Sequence, residues 1–186
     1  MGNSARSALL IIDVQQGLDD PCWGQRNNPE AEDNIVALLS AWRAARRPVI
    51  HVQHMSTRPD SPLRQEKPGN ALKPEVEPAE GEPIFRKNVH SAFIGTDLEE
   101  YLRRRGIEEL IVVGLTTDHC VSTTVRMAAN LSFDVKVVSD ATATFERTGP
   151  EGDRFTAEEM HRSTLTSLHE EFAEIVNTAD VLDDLL

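Results

Sequence analysis

Val113-Gly114-Leu115-Thr116-Thr117-Asp118-His119-Cys120-Val121 joins an apolar run to an amphipathic stretch that begins near His119. The run is typical of a buried strand and the amphipathic stretch of a helix, so this segment predicts strand, tight turn and helix. Cys120 would then lie at the helix start, where free backbone N–H groups and the helix dipole favour a thiolate. A packed core cysteine remains the alternative, because free cysteine is often buried.

Length and composition limit what this chain can be. Its 186 residues suit one domain, spanning 1–186, and 39% hydrophobic and 27% charged residues are ordinary for a globular protein. The net charge of −12 argues against nucleic acid and membrane surfaces as partners. Residues 1–6 do not read as a signal peptide, and there are only two cysteines, so we expect a cytoplasmic protein.

Strand-like and helix-like segments alternate along the chain. Apolar runs predict strands at 8–12, 48–52, 110–113 and 135–138, with shorter candidates at 83–86 and 174–176, the last as an edge strand. Helices are predicted at 30–47 and 121–131. Two more begin at predicted capping boxes: one starts at Thr96 and Glu99 and ends at Gly106, and the other starts at Thr156 and Glu159 and runs towards Phe172. This alternation predicts an α/β fold with a mostly parallel six-stranded sheet between two helical layers.

The segment 55–82 fits neither period. It is rich in proline, glycine and charged residues. Long irregular segments in compact domains are usually functional or disordered. We expect this one to wall a pocket or to meet a neighbouring subunit.

Three reactive side chains follow predicted strands. Asp13 follows the first strand, Lys87 follows the run at 83–86, and Cys120 follows the run at 110–113. With the strand order 3-2-1-4-5-6, Asp13 and Cys120 would face each other across the crevice where ligands bind in such sheets. Taken singly, Asp13 could cap a turn and Lys87 could be a solvated surface residue.

Several blocks in this order resemble the isochorismatase-like cysteine hydrolases, which include nicotinamidases, N-carbamoylsarcosine amidases, ureidoacrylate and biuret hydrolases, and isochorismatase itself. The blocks are Ile11-Ile12-Asp13-Val14-Gln15, Phe85-Arg86-Lys87, Ser91-Ala92-Phe93, the segment 114–121, Thr123-Thr124-Val125-Arg126-Met127-Ala128 and Val138-Ser139-Asp140-Ala141. The resemblance covers roughly residues 8 to 180. It implies a Rossmann-like three-layer α/β/α sandwich that forms a homodimer or homotetramer and acts on a small molecule.

The resemblance also implies a catalytic triad of Asp13, Lys87 and Cys120. Lys87 would favour the thiolate, Asp13 would take the thiol proton and later deliver it to the leaving nitrogen, and Cys120 would form a thioester. The backbone N–H groups of Thr116 and Cys120 would bind the oxyanion, next to a cis peptide between Leu115 and Thr116.

The metal of the nicotinamidase branch is not expected here. That branch binds it through an Asp-x-His motif and further histidines, whereas this chain has His51 and His54, whose spacing on a strand points them to opposite faces. We therefore predict neither metal nor cofactor, with His51 packed and His54 lining the pocket. The predicted substrate-binding residues are Gln15, Leu18, Trp23, Phe93 and Thr117, and His90 and His119 are further candidates, although His119 should point away from the sulfur.

These expectations favour a hydrolase that cleaves a C–N bond of a small amide, ureide or lactam through a Cys120 thioester. One alternative is vinyl ether hydrolysis of the isochorismatase type, in which an aspartate protonates the substrate and no thiol nucleophile is needed. A second alternative is a catalytically silent ligand-binding member of the fold. A redox thiol is a weaker possibility, because Cys22 has no evident resolving position.

Overall fold

The computed structural model describes residues 6–185. The expectation that the chain begins without a signal peptide falls mainly on residues 1–5 and so lies outside the described residues. Within the described range, no helix combines the length and the apolar character needed to cross a bilayer.

A single six-stranded sheet organises the described residues. Its strands are β1 (Ser7–Ile12), β2 (Val49–His54), β3 (Ile84–Lys87), β4 (Glu109–Leu115), β5 (Asp134–Ala143) and β8 (Glu174–Val176). They lie in the order β3-β2-β1-β4-β5-β8, with every neighbouring pair parallel. The predicted order 3-2-1-4-5-6 is therefore confirmed, with β8 as the sixth strand. A separate antiparallel hairpin, β6 (Arg147–Thr148) and β7 (Arg154–Phe155), precedes it in the chain.

Helices cover both faces of the sheet. They are α1 (Ala31–Ala44), α2 (Leu98–Arg104), α3 (Ser122–Asn130), α4 (Ala157–Leu168) and α5 (Thr178–Asp183). The capping box at Thr156 and Glu159 is present at the start of α4. The box predicted at Thr96 is wrong, because the Thr96 hydroxyl donates to the carbonyl of Ala92 and α2 begins only at Leu98.

The core has two halves, one on each face of the sheet. Every residue of β1 is buried, as expected for a central parallel strand. Leu10 and Ile12 pack with α2 and α3 on one face, while Leu9 and Ile11 pack with α1 and α5 on the other. The alternation of side chains along a strand thus divides one apolar run between two cores.

The segment 55–82 is ordered by side-chain hydrogen bonds. It contains two short 3₁₀ turns, Pro68–Asn70 and Pro74–Val76. The buried amide of Asn70 donates to the carbonyls of His54, at 2.9 Å, and Leu63, at 2.7 Å. The carbonyl of Asn70 accepts from the amides of Gln15, at 2.7 Å, and Gln53, at 2.9 Å. These bonds hold the segment across the carboxyl ends of β1 and β2.

The two central strands meet closely at their carboxyl ends. Ile12 of β1 is the register partner of Gly114 of β4. Gly114 has φ +117°, and a Cβ there would lie 2.0 Å from the carbonyl oxygen of Ile12. Only glycine satisfies both conditions. This close approach brings the turn that follows β4 against the residue that follows β1.

Candidate active site

Asp13 and Lys87 form a buried ion pair at the carboxyl edge of the sheet. Lys87 Nζ donates to Asp13 Oδ2 at 2.6 Å, and both side chains are almost fully buried. Because β3 and β1 are separated by β2, the long lysine side chain spans one strand to reach the carboxylate. A solvated role for Lys87 is therefore wrong.

The Asp13 carboxylate has one oxygen to spare. Oδ1 is buried and has no hydrogen-bond partner among residues 6–185. Asp13 also adopts φ 50°, which is unusual for a residue with a side chain. A buried acceptor without a partner is costly and commonly marks a functional site. The Asp13 side chain does not cap a turn, which was the alternative interpretation of this residue, because it bonds Lys87 instead.

Cys120 completes the cluster from the other side of the crevice. It lies within a π-helical turn, Thr117–Val121, between β4 and α3. Its sulfur, a carboxylate oxygen of Asp13 and a ring nitrogen of His54 all lie within 4.8 Å of one another. His90 Nδ1 lies 3.4 Å from the same sulfur. The structure thus brings the three predicted catalytic side chains together.

The thiol is protonated in the unliganded protein. Burial raises the pKa of Cys120, and the charge of Asp13 raises it further, while Lys87 opposes them. These effects oppose the thiolate that the helix start alone predicts. Their cause is local: Cys120 sits inside a π-helical turn on the cavity floor beside a carboxylate, away from solvent.

Thr116 and Cys120 lie together on the wall of the cavity, where the predicted oxyanion donors are needed. The peptide between Leu115 and Thr116 is cis. The Thr116 hydroxyl is buried and has no hydrogen-bond partner among the described residues. This wall is the part of the site nearest the sulfur.

A cavity of about 350 Å³ opens above the cluster. Leu18 and Trp23, two of the predicted substrate-binding residues, line it. The segment 55–82 contributes four lining residues, so the pocket-wall expectation for it is met. The complete lining is Asp13, Leu18, Trp23, His54, Ser56, Arg58, Ser61, Leu63, His90, Leu115, Thr116, His119, Cys120 and Arg147.

Three predicted substrate-binding residues lie outside this lining. Gln15 is fully buried, and its amide bonds the backbone of His54 and Asn70. Phe93 stacks on Phe133 within the core, with ring centroids 6.0 Å apart. Thr117 bonds the buried ring of His161 at 2.9 Å. In each case the side chain is used by packing or hydrogen bonding behind the site, so these predictions are wrong.

Sequence reasoning missed the two arginines of the cavity. Arg147 enters from β6 and is held by Asp118, through contacts of 2.9 and 3.2 Å. Arg58 enters from the segment 55–82 and is exposed. Neither belongs to a periodic element or to a quoted motif, so no signal in the sequence placed them at the site.

The histidines divide as their spacing predicts. His51 is fully buried and lies 2.8 Å from Glu82, whereas His54 lines the cavity. His54 Nδ1 lies 3.0 Å from Lys87 Nζ. Burial and the Lys87 ammonium lower the pKa of His54 to about 4, so its neutral ring accepts from the ammonium at pH 7. His119 also lines the cavity, but the histidine whose ring nitrogen lies at the sulfur is His90.

The metal of the nicotinamidase branch does not fit these residues. Of the two histidines in β2, only His54 lines the cavity. The one cluster of potential ligands in the described range is Asp13, His54 and Cys120. Lys87 Nζ lies 2.6 Å from Asp13 and 3.0 Å from His54, so its positive charge occupies the place of a cation.

Comparisons with known proteins agree with this geometry. A family model described as the isochorismatase domain matches residues 7–180. The uncharacterized isochorismatase family protein YrdC of Bacillus subtilis (strain 168) is 44% identical over 181 residues, covering 97% of each chain. Nicotinamidase 3 of Arabidopsis thaliana is 30% identical, covering 99% of this chain and 91% of that protein.

Solved structures are similarly close. The crystal structure of an isochorismatase-family protein from Chromobacterium violaceum ATCC 12472 superposes with a TM-score of 0.95 at 46% identity, covering 99% of this chain and 95% of that one. A cysteine hydrolase from Pseudomonas syringae pv. phaseolicola 1448A gives a TM-score of 0.89 at 26% identity, covering 99% and 94%.

Proposed function

This chain is a hydrolase of the isochorismatase family, and we propose that it cleaves the C–N bond of a small amide, ureide or lactam through a thioester on Cys120. One observation carries the proposal. The Asp13 carboxylate, which has a spare acceptor oxygen, and the Cys120 thiol line a single cavity, and the buried Lys87 ammonium bonds the carboxylate.

The first half of the reaction follows from the resting protonation states. The Cys120 thiol gives its proton to Asp13 as the sulfur attacks the substrate carbonyl carbon and forms the C–S bond. Lys87 offsets the negative charge that develops on the sulfur. The backbone N–H groups of Thr116 and Cys120 stabilise the oxyanion. Asp13 then protonates the leaving nitrogen and the C–N bond breaks, which releases ammonia or an amine from an amide or ureide and opens the ring of a lactam, whose amine stays on the acyl group.

The second half returns the enzyme to its resting state. Water attacks the thioester carbonyl and gives a proton to Asp13. The C–S bond breaks, the sulfur takes that proton back, and a carboxylic or carbamic acid leaves. One water is consumed for each C–N bond cleaved, and no other reactant is required.

Two alternatives make different demands on the sulfur. Vinyl ether hydrolysis needs Asp13 as an acid but no nucleophilic thiol. A silent ligand-binding member needs neither group to react. The close contact of Asp13 and Cys120 favours thiol chemistry over both, since a buried carboxylate beside the thiol can accept its proton.

Turnover of a substrate panel tests the proposal. Small amides, ureides and lactams are incubated with the protein, and released ammonia or amine is measured together with the mass of acylated protein. We expect Cys120→Ala to abolish both signals, while the exposed Cys22→Ala keeps them. Full turnover by Cys120→Ala would reject the thioester route. Absence of both turnover and acylation across the panel would favour the silent alternative.

Two further features stay predictions. The resemblance predicts a homodimer or homotetramer, and the cysteine count predicts a cytoplasmic location. Light scattering of the purified protein gives the assembly mass directly, and a monomer at micromolar concentration would contradict the first.

A further inference from the structure

The cationic groups of the cavity differ in whether they are already paired. Lys87 bonds Asp13 on the floor, and Arg147 is held by Asp118 through two of its nitrogens. The guanidinium of Arg58 makes no hydrogen bond or ion pair within residues 6–185. The hydrogen bonds of Arg58 come from its backbone, whose N–H donates to the Ser56 hydroxyl at 3.3 Å and whose carbonyl accepts from the Ser61 N–H at 3.2 Å. The mouth therefore carries an arginine whose side-chain donors are unused.

Both arginines act on the same part of the cavity. Burial lowers the pKa of His119, the charge of Asp118 opposes this, and the charges of Arg147 and Arg58 lower the pKa further. His119 is half-exposed and lines the cavity on the side of Cys120. Because Asp118 offsets the charge of Arg147, Arg58 supplies the unpaired positive charge on this side of the cavity, even though the whole chain has a net charge of −12.

The rest of this wall strengthens an ionic contact. Leu18, Trp23 and Leu63 are apolar and line the same cavity. Apolar walls reduce screening by water, so a charge pair there is stronger than on an open surface. A guanidinium binds a carboxylate through two parallel N–H donors, which fixes orientation as well as affinity.

From this arrangement we infer that the substrate carries a carboxylate, which Arg58 binds at the mouth of the cavity that Arg147 also lines. The inference rests on the proposed function for the identity of the reacting bond. It narrows the substrate to the monoanion of an acid that also contains an amide or ureide group. The carboxylate stays at the mouth, and the uncharged carbonyl reaches Cys120.

A pair of alkylating reagents tests this without knowledge of the substrate. N-iodoacetylglycine and its methyl ester share one reactive carbon and one leaving group, and differ in the carboxylate alone. The Cys120 sulfur displaces iodide from either one and forms a C–S bond. The readout is the ratio of the two rate constants at Cys120, measured by peptide mass spectrometry and divided by the ratio for free N-acetylcysteine.

We expect this normalised ratio to be about fivefold in favour of the acid for the unaltered protein, as one partly exposed ionic contact can give. Arg58→Gln should bring it to one. Arg104→Gln, which changes an exposed arginine of α2 with 69% side-chain exposure, should leave it fivefold. A ratio of one in the unaltered protein, or a ratio that Arg58→Gln does not change, would overturn the inference.

The resting thiol is protonated, so slow alkylation needs a second background. If Cys120 resists both reagents, the same ratio is measured in Asp13→Asn with and without Arg58→Gln, because loss of the neighbouring negative charge favours the thiolate. If the acid reagent reacts fivefold faster but no panel compound is hydrolysed, the carboxylate site at Arg58 is supported and the hydrolase proposal is rejected. If a panel compound is hydrolysed but the ratio is one, the hydrolase proposal is supported and the carboxylate site is rejected.

Discussion

Asp13 and Lys87 act on the Cys120 thiol in opposite directions. Burial raises the pKa of Cys120, the Asp13 carboxylate adds to this, and the Lys87 ammonium lowers it. The ion pair itself is held by a 2.6 Å contact in a nearly dry place. In the proposed mechanism the sulfur therefore starts as a thiol, with Asp13 beside it as the base that takes its proton.

Single substitutions of these two residues should separate thiol ionisation from turnover. In Asp13→Asn the pKa of Cys120 should fall, because a negative neighbour is lost, whereas hydrolysis should drop by about a thousandfold or more, because the proton acceptor is lost. In Lys87→Met the pKa should rise and hydrolysis should also fall. Thiolate absorbance at 240 nm against pH measures the first quantity, with Cys120→Ala subtracted as the blank. A higher thiol pKa in Asp13→Asn would contradict the assignment.

Gly114 is the residue with least tolerance for a side chain. A Cβ would lie 2.0 Å from the carbonyl oxygen of Ile12, and φ is +117°. We expect Gly114→Ala to lower the free energy of unfolding by more than about 3 kcal/mol. Gly95→Ala is the matched control, since Gly95 has φ +72° but open space around its Cβ. Gly95→Ala should lower the free energy of unfolding by only about 1 kcal/mol in the same urea titration. An equal loss of stability in Gly114→Ala and Gly95→Ala would show that the positive φ, and not the contact with Ile12, determines the effect.

At this scale the sequence identifies residues whose position follows from a strand end. Asp13, Lys87 and Cys120 were found in that way, together with the motif around Cys120. Side-chain direction was harder to predict. Gln15 neighbours the site in sequence, yet its amide is used by backbone groups of His54 and Asn70, which only the folded loop brings to it.

Among the elements, the segment 55–82 depends on few anchors. The Asn70 side chain donates to two carbonyls and accepts from Gln53 at 3.2 Å, all in buried surroundings. Arg58 and Leu63, which line the cavity, lie on the same segment. The shape of the mouth therefore depends on one amide far from the reacting atoms.

Asn70→Ala should loosen this segment. The carbonyls of His54 and Leu63 would each lose one of two donors and keep the other, from Gln15 and Ser56, so we expect the free energy of unfolding to fall by about 1–2 kcal/mol. Hydrogen exchange within 55–70 should quicken more than in β4, and KM for any panel substrate should rise more than kcat falls. Asn130→Ala, at the exposed end of α3, is the control and should change none of these. Uniform acceleration of exchange across the sheet would contradict a local anchor.

Element boundaries show where local patterns stop being informative. The Thr156 capping box was predicted correctly because both its partners are three residues apart in the sequence. The Thr96 box failed because the hydroxyl found the Ala92 carbonyl in the preceding turn. β5 extends to Ala143, beyond the predicted apolar run, because Thr142 and Ala143 pair with Gly114 and Leu115 after a register shift in β4. That pairing depends on tertiary contacts.

For the whole molecule, buried histidines couple stability to pH. Burial, and for His54 also Lys87, lowers the pKa of His51, His54 and His161, with His54 at about 4. Their usual value is near 6.5, so the unfolded chain binds more protons than the folded chain as the pH falls from about 6.5 towards 4. Glu82 extends the same trend, because hydrogen bonds from Arg43 and His51 outweigh burial and lower its pKa to about 2.

Stability should therefore be highest above pH 6.5 and decline on acidification. We expect the melting temperature to fall by about 5 °C between pH 7 and pH 5. His54→Asn should flatten this slope, and His169→Gln, at an exposed position, should not. The measurement is differential scanning calorimetry at fixed ionic strength. A melting temperature that is constant from pH 7 to pH 5 would show that these histidines also gain protons in the folded state.

The global fold was predictable because it needs only the alternation of strands and helices and the rule for their connection. The hairpin of β6 and β7 and the helix α5 were not foreseen, since they are short and lack a long apolar period. The cavity wall was also beyond sequence reasoning. It is formed by residues from β6, from the segment 55–82 and from the turn after β1. These residues are far apart in the sequence, so no local pattern predicts that they lie together.

The close contact between Ile12 and Gly114 has a consequence for how such proteins diversify. Asp13 and Cys120 follow two strands locked together by a position that accepts no side chain, so their spacing is inherited with the sheet itself. Arg58 and Leu63 lie on an irregular stretch that side-chain hydrogen bonds and the packing of Leu63 and Val76 hold against the core. Exchanging that stretch between relatives should therefore change which substrate binds, while the positions of Asp13 and Cys120 stay the same.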